Sequence, residues 1–309
     1  MQKAVTVAQI VVPIFVAIIL GVLARRKKAL TPEEVGGLQQ FVMKVGLPCI
    51  VFNSCLTADI GAESLGSIAL VMPFVLLATL WSFRARKNTY PYHNLPMLFC
   101  AQESGMLGIP LFMMLFGAEQ MYRIGVLDMT QAFIAYPVIA MLSSDAGENP
   151  SVKDIVKKVL ISPLMIMVFL GLGLNLSGIG GWLDDLGIGM VITESTGFLA
   201  QPVSSLMIFS VGYNFSLTKG NRRDIFRIAG IHFSMYALFG VIAQAGLLLI
   251  PNVDALTRWA VLLFCMLPSS YLSSGLGRNE TDAAVASGVC SLLTLVSLAV
   301  FCLIVVAVA

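Results

Sequence analysis

Charge is what this sequence has least of. Asp, Glu, Lys and Arg make up 12% of its 309 residues, about half the share in soluble domains. That shortage excludes a disordered chain. With a net charge of only +2, there is no basic surface for nucleic acid either. Histidine is nearly absent: His93 and His232 stand alone, which leaves no HExxH zinc site and no nucleophile–base pairing. Six cysteines (Cys49, Cys55, Cys100, Cys265, Cys290, Cys302) lie in or beside apolar runs without paired spacing. They read as small packing residues rather than a disulfide framework or metal site. No P-loop, nucleophile elbow or dinucleotide fingerprint occurs. Gly171-Leu172-Gly173 and Gly187-Ile188-Gly189 read as helix-packing and loop glycines. Neither a cofactor nor a metal is expected, and an ordinary soluble enzyme is excluded.

What fills the space is apolar. Hydrophobic residues reach 58% and mean hydropathy +0.89. A bilayer-spanning helix needs about 20 apolar residues. Ten such runs are present: 5–24, 36–56, 64–83, 94–116, 122–142, 158–176, 194–215, 225–250, 257–276 and 283–307. The first ends in Arg25-Arg26-Lys27-Lys28 without a small-residue cleavage site, so it reads as a span and not a signal peptide. Of the 19 Lys and Arg, 15 fall in the odd-numbered loops. The positive-inside rule then places odd loops in the cytoplasm and both termini outside. On that side the sequon Asn279-Glu280-Thr281 carries no glycan. The expectation is an all-α polytopic protein of a cell membrane, with lipids as its surroundings.

The halves repeat. Pro13 and Leu20-Gly21 in span 1 match Pro163 and Leu170-Gly171 in span 6 at an offset of 150. Pro48 matches Pro202 at 154, and Pro110 matches Pro268 at 158. Five spans per copy is an odd number, so the second copy enters from the opposite side: a 5+5 inverted repeat. The expected units are 1–148 and 149–309.

Spans 4 and 9 hold matched interruptions. Span 4 reads Gln102-Glu103-Ser104-Gly105-Met106-Leu107-Gly108-Ile109-Pro110, and span 9 reads Pro268-Ser269-Ser270-Tyr271. A proline removes a backbone hydrogen bond, which in lipid is tolerated only beside protein or a wet cavity. The expected site is therefore Glu103, Ser104, Gly105, Gly108, Ile109, Pro110, Pro268, Ser269, Ser270 and Tyr271, with half-helix N–H groups left free to favour an anion. Ionisable groups inside spans each need a reason. Glu103 is either a satisfied structural carboxyl or a substrate contact and proton carrier. Asp128, with Thr130 and Gln131 beside it, is open in the same way. Lys44 either snorkels to the surface or pairs with Glu103 or Asp128. Arg123 reads as a solvated span end, and Asn53 as a polar candidate closer to packing than to a ligand.

These residues resemble the auxin efflux carrier family over nearly the whole chain. The most specific likeness is Ser104-Gly105-Met106-Leu107-Gly108-Ile109-Pro110-Leu111 with Phe116-Gly117, supported by Gly46-Leu47-Pro48, Gln201-Pro202 and Leu267-Pro268. The resemblance implies a fold similar to sodium/proton antiporters and bile-acid symporters. Helices 4 and 9 would cross as broken helices in a core of helices 3–5 and 8–10, moving like an elevator against a scaffold of helices 1, 2, 6 and 7. It also implies transport of a small organic anion, a carboxylate or auxin-like solute, with proton or sodium coupling; a homodimer is compatible with it. One departure stands out: the family usually has Asn where this chain has Glu103. A protonated Glu103, a non-anionic substrate or an accompanying cation each accommodates it. The plant carriers' long hydrophilic central loop is absent, which points to a bacterial-type member. Two other classes stay open: a ligand sensor without flux, and an intramembrane enzyme, for which Glu103, Ser269 and Ser270 are the only raw material.

Overall fold

A computed structural model of the chain describes residues 2–56, 62–143, 160–161, 163–215, 221–250 and 253–308. Among them the regular structure is helical, apart from one isolated β-bridge. The 148/149 boundary and the loop cations Lys153, Lys157, Lys158 and Lys219 lie outside the described residues.

The helices follow the apolar runs. They are α1 (Gln2–Arg26), α2 (Pro32–Phe41), α3 (Leu47–Leu56), α4 (Ala62–Asn88), α5 (Leu95–Cys100), α6 (Ile109–Phe116), α7 (Tyr122–Ser143) and α8 (Pro163–Leu176). Then come α9 (Ile179–Asp185), α10 (Ile188–Ala200), α11 (Val203–Asn214), α12 (Arg222–Leu247), α13 (Ala255–Met266), α14 (Leu272–Gly275) and α15 (Glu280–Val308). Among the described residues five stretches are long and apolar enough to cross a membrane: Val7–Arg26, Pro32–Leu56, Leu65–Asn88, Arg222–Leu247 and Glu280–Val308. Elsewhere shorter or interrupted helices take up the apolar runs. Large apolar side chains such as Leu77, Leu176, Phe198 and Val241 are exposed, as a lipid-facing surface requires.

Local chemistry sets the helix ends. Thr31 caps α2 through a reciprocal box: its hydroxyl accepts from Glu34 N–H and the Glu34 carboxylate accepts from Thr31 N–H, with Pro32 in the first turn. Asp254 caps α13, its carboxylate accepting from Thr257 N–H at 2.8 Å. It also holds Arg123 at 2.7 Å, and Arg123 donates to the Thr257 hydroxyl at 2.5 Å. Arg123, whose side chain is only 11% exposed, is thus not a solvated span end but a clamp between the starts of α7 and α13.

Small residues set the closest helix contacts. A Cβ on Gly21 would lie 2.1 Å from the Phe209 carbonyl, and one on Gly212 would lie 2.2 Å from that of Ile18. So α1 and α11 touch backbone to backbone, the arrangement small residues permit in lipid. On the other pair, a Cβ on Gly171 of α8 would lie 2.8 Å from Cys55 of α3. Gly21 and Gly171 differ by the offset of Pro13 and Pro163; Cys55 and Phe209 differ by that of Pro48 and Pro202.

Two prolines are absorbed without a break. Gly46-Leu47-Pro48 and Gly108-Ile109-Pro110 each straddle the end of a five-residue π-helical turn, Val42–Gly46 and Ser104–Gly108. In the second turn Gly108 N–H donates to the Glu103 carbonyl at 3.0 Å. A π turn shifts donors back by one residue, so the hydrogen bond that proline cannot make is not needed.

Candidate functional site

The break in span 4 precedes the glycines and proline that mark it in the sequence. α5 ends at Cys100, and Ala101 is extended, with φ −136° and ψ 123°. Gln102 and Glu103 follow before the π turn restarts the helix. In span 9, α13 ends at Met266, and Leu267 is extended, with φ −68° and ψ 153°, as the residue before a proline prefers. The two extended pieces pair antiparallel through a bridge between Gln102 and Ser269. Glu103 N–H donates to the Pro268 carbonyl at 2.7 Å, and Ser270 N–H donates to the Ala101 carbonyl at 2.9 Å. Gly108 faces the same junction, where a Cβ would meet Leu267 Cδ1 at 2.5 Å.

Side chains satisfy what the breaks leave open. The Gln131 carboxamide on α7 substitutes for a missing helical turn: its Oε1 accepts from Gln102 N–H at 2.7 Å, and its Nε2 donates to the Gln102 carbonyl at 3.0 Å. Tyr236 O–H donates to the Phe99 carbonyl at 2.6 Å, and the Ser297 hydroxyl donates to that of Met266 at 2.5 Å. Tyr271 N–H donates to Glu103 Oε2 at 2.7 Å. Free half-helix amides were the sequence-based expectation. Instead the Glu103 carboxyl takes the anion's place at the start of α14, because buried donors must find acceptors.

Asp128 joins the same cluster. The Ser104 hydroxyl donates to its Oδ1, and Gln131 Nε2 donates to the same oxygen at 2.9 Å. Gln102, Glu103, Ser104 and Ser269 are all buried. Gly105 and Ser270 are half-exposed, and a Cβ on Gly105 would meet nothing within 4 Å. The accessible face of the crossing thus takes in Gly105, Met106, Asp128 and Ser270, all half-buried, beside a buried polar centre. Ile109 and Pro110 are buried in the first turn of α6, behind that face. Tyr271 is buried, with its hydroxyl on Thr294 at 3.0 Å.

Lys44 is exposed, and its ammonium donates to Gln40 at 3.3 Å. Snorkelling keeps it away from Glu103 and Asp128. Asn53 belongs elsewhere too: it accepts from the Thr196 hydroxyl at 2.7 Å and donates to the Thr193 carbonyl at 3.4 Å. With Ser54, Met113, Glu119, Gln201 and Ser204 it lines a cavity of about 400 Å³ between α3, the end of α6, α10 and α11. Sequence reasoning named Gln131 only as a support. It passed over Gln102, Tyr236 and Ser297, whose signal is simply a polar group within an apolar run.

At the other end of the bundle a polar network closes the loops. Tyr92 O–H donates to Asp224 at 2.5 Å, Arg86 contacts His93 Nδ1 at 2.7 Å, and Asn94 donates to the carbonyls of Ser273 and Asp282. Burial and the Asp224 carboxylate push the Tyr92 phenol up to about 12.

A family model described as membrane transport protein matches residues 6–301. An uncharacterized transporter of Methanothermobacter thermautotrophicus is 24% identical over 297 residues, covering 93% of this chain and 94% of that one.

Proposed function

Because the chain belongs to the membrane transport protein family, the auxin efflux carrier family, and is a multi-pass membrane transporter, we propose that it moves a small organic anion by alternating access. The family is one of transporters and not of enzymes. In this reading ten spans form a 5+5 inverted repeat in the cytoplasmic membrane of the cell, both termini outside. Helices 3–5 and 8–10 shift as a core against helices 1, 2, 6 and 7. The equivalent contacts of Gly21 and Gly171 support the repeat. The solute is a carboxylate or an auxin-like acid, held at the open face of the crossing by the first turn of the π-helical segment and by Ser270.

One observation carries the reading: two interrupted helices joined by a bridge between Gln102 and Ser269. In lipid a broken backbone is tolerated where protein buries it or a wet cavity meets it, and matched breaks in the two halves are where transporters build their sites. The cavity lined by Asn53 and Gln201 supports it as an approach route between core and scaffold.

The test is uptake of labelled malonate, malate and indole-3-acetate by proteoliposomes holding the purified full chain. The parent should accumulate at least one of them. Gly105→Val adds a Cβ that would meet nothing within 4 Å. It should keep the parent's melting temperature and lose flux about tenfold or more, the effect of ~1.4 kcal/mol at a binding step. Full flux in that variant would refute the site. Solute binding without flux would favour a sensor.

A further inference from the structure

The cavity between α3, the end of α6, α10 and α11 carries a single charge. Among the residues that line its volume of about 400 Å³, Glu119 is the one ionisable side chain. It sits in the one-turn 3₁₀ helix Ala118–Gln120 that joins α6 to α7, and it is exposed. Among the described residues no cation pairs with its carboxylate. Arg123, the nearest in sequence, holds Asp254 at 2.7 Å and donates to Gln120 at 3.0 Å. Lys44 donates to Gln40.

The surrounding backbone fixes where that carboxylate lies. Gly117 ends α6 with φ +95°, a conformation glycine adopts without strain. A Cβ on Gly117 would collide with the Glu119 carboxylate, which folds back over it. Ser54 of α3, 1% exposed, ties down both ends of the turn. Its hydroxyl accepts from Tyr122 N–H at 2.7 Å and donates to the Glu119 carbonyl at 3.4 Å.

The other polar groups in the lining are neutral. Asn53 is engaged by Thr193 and Thr196, and the Thr193 hydroxyl by the carbonyls of Gly189 and Met190. Gln201 and Ser204, on the wall made by α10 and α11, remain to donate to a solute. A solute with one carboxylate can place it there and turn a neutral end to Glu119. A solute with two brings a second negative charge into the same small volume, within a Debye length of about 8 Å. Apolar walls screen that repulsion less than bulk water does.

We propose that Glu119 sets the charge specificity of transport, passing solutes with one carboxylate and holding back those with two. The charge of the cavity stands on the side-chain geometry alone; its role in selection rests on the transporter reading and on the cavity as the solute's route.

The experiment compares malonate with its monomethyl ester, which differ by one carboxylate, in proteoliposomes holding the full chain. The parent should take up the monoester in preference. Glu119→Gln should raise the malonate-to-monoester flux ratio about fivefold, the effect of one unit charge in a half-open cavity. Glu119→Asp keeps the charge and should keep the parent's order of preference. Added salt should weaken the preference in the parent and leave the Glu119→Gln ratio unchanged. A second readout needs no transport. In Ser204→Cys the introduced thiol is labelled with a cationic or an anionic thiosulfonate, and the peptide is read by mass. Adding Glu119→Gln should lower the cationic-to-anionic rate ratio about fivefold or more. The same labelling ratio with and without Glu119 would overturn the charged cavity. The same flux ratio in the parent and Glu119→Gln would overturn its role in selection. A parent that moves neither solute, with the labelling ratio shifted as expected, would count against the transporter reading and leave the charged cavity standing.

Discussion

Spans 4 and 9 are broken by different means. In span 9 the cause is in the backbone: Pro268 has no N–H and forces Leu267 out of the helix. In span 4 no such residue stands at the break. Ala101, Gln102 and Glu103 are all compatible with a helix, and Pro110 lies further on, inside α6. That break exists because outside groups offer its backbone better partners: the Pro268 carbonyl for Glu103 N–H and the Gln131 carboxamide for both polar groups of Gln102. One helix is interrupted by its own chemistry and the other by its neighbours. The second break should therefore be the more fragile.

Gln131→Leu is the sharpest way to attack that asymmetry. It strands a buried N–H and a buried carbonyl on Gln102 and should cost about 2–6 kcal/mol, from about 1–3 for each orphaned group, read as a large drop in melting temperature. Ser297→Ala removes the corresponding support from span 9, a single donor on the Met266 carbonyl, and should cost about 1–3 kcal/mol. Equal losses in the two variants would contradict the asymmetry. Pro110→Ala should change melting by less than about 1 kcal/mol, because the π turn already does without the hydrogen bond proline cannot make. Last and smallest is Tyr92→Phe, at the far end of the bundle. The Tyr92 phenol is raised to about 12 in the folded chain, against about 10 when unfolded. Its contribution is full below about pH 10 and fades toward about pH 12. The variant should melt lower than the parent below about pH 10 and converge with it as the pH rises toward about 12.

The same asymmetry explains how much the residues disclose in advance. The apolar runs are legible because a span needs an uninterrupted apolar length, and the described helices fall on them except α9 (Ile179–Asp185), which lies between the sixth and seventh. Pro268 is legible because its effect is local. The break at Ala101–Glu103 is not, because it depends on Gln131, 29 residues away, and on a carbonyl in the other half of the chain. Gly108-Ile109-Pro110 reads as the break in span 4 but joins a π turn to α6 without one, since the shift of one residue leaves no mark on composition. Lys44 and Arg123 could be noticed but not paired: one finds Gln40 on its own helix and the other Asp254 across the bundle. Tyr236 and Ser297 look like packing until the carbonyls they satisfy are exposed by the breaks.

The most direct measurement is an experimental density map of the protein in lipid nanodiscs with malonate present. The two helices should leave their paths at 101–103 and 267–271, backbone paired to backbone, with Glu103 against Tyr271 N–H and any solute density beside Gly105 and Ser270. Two continuous helices, or a solute bound away from their junction, would contradict it.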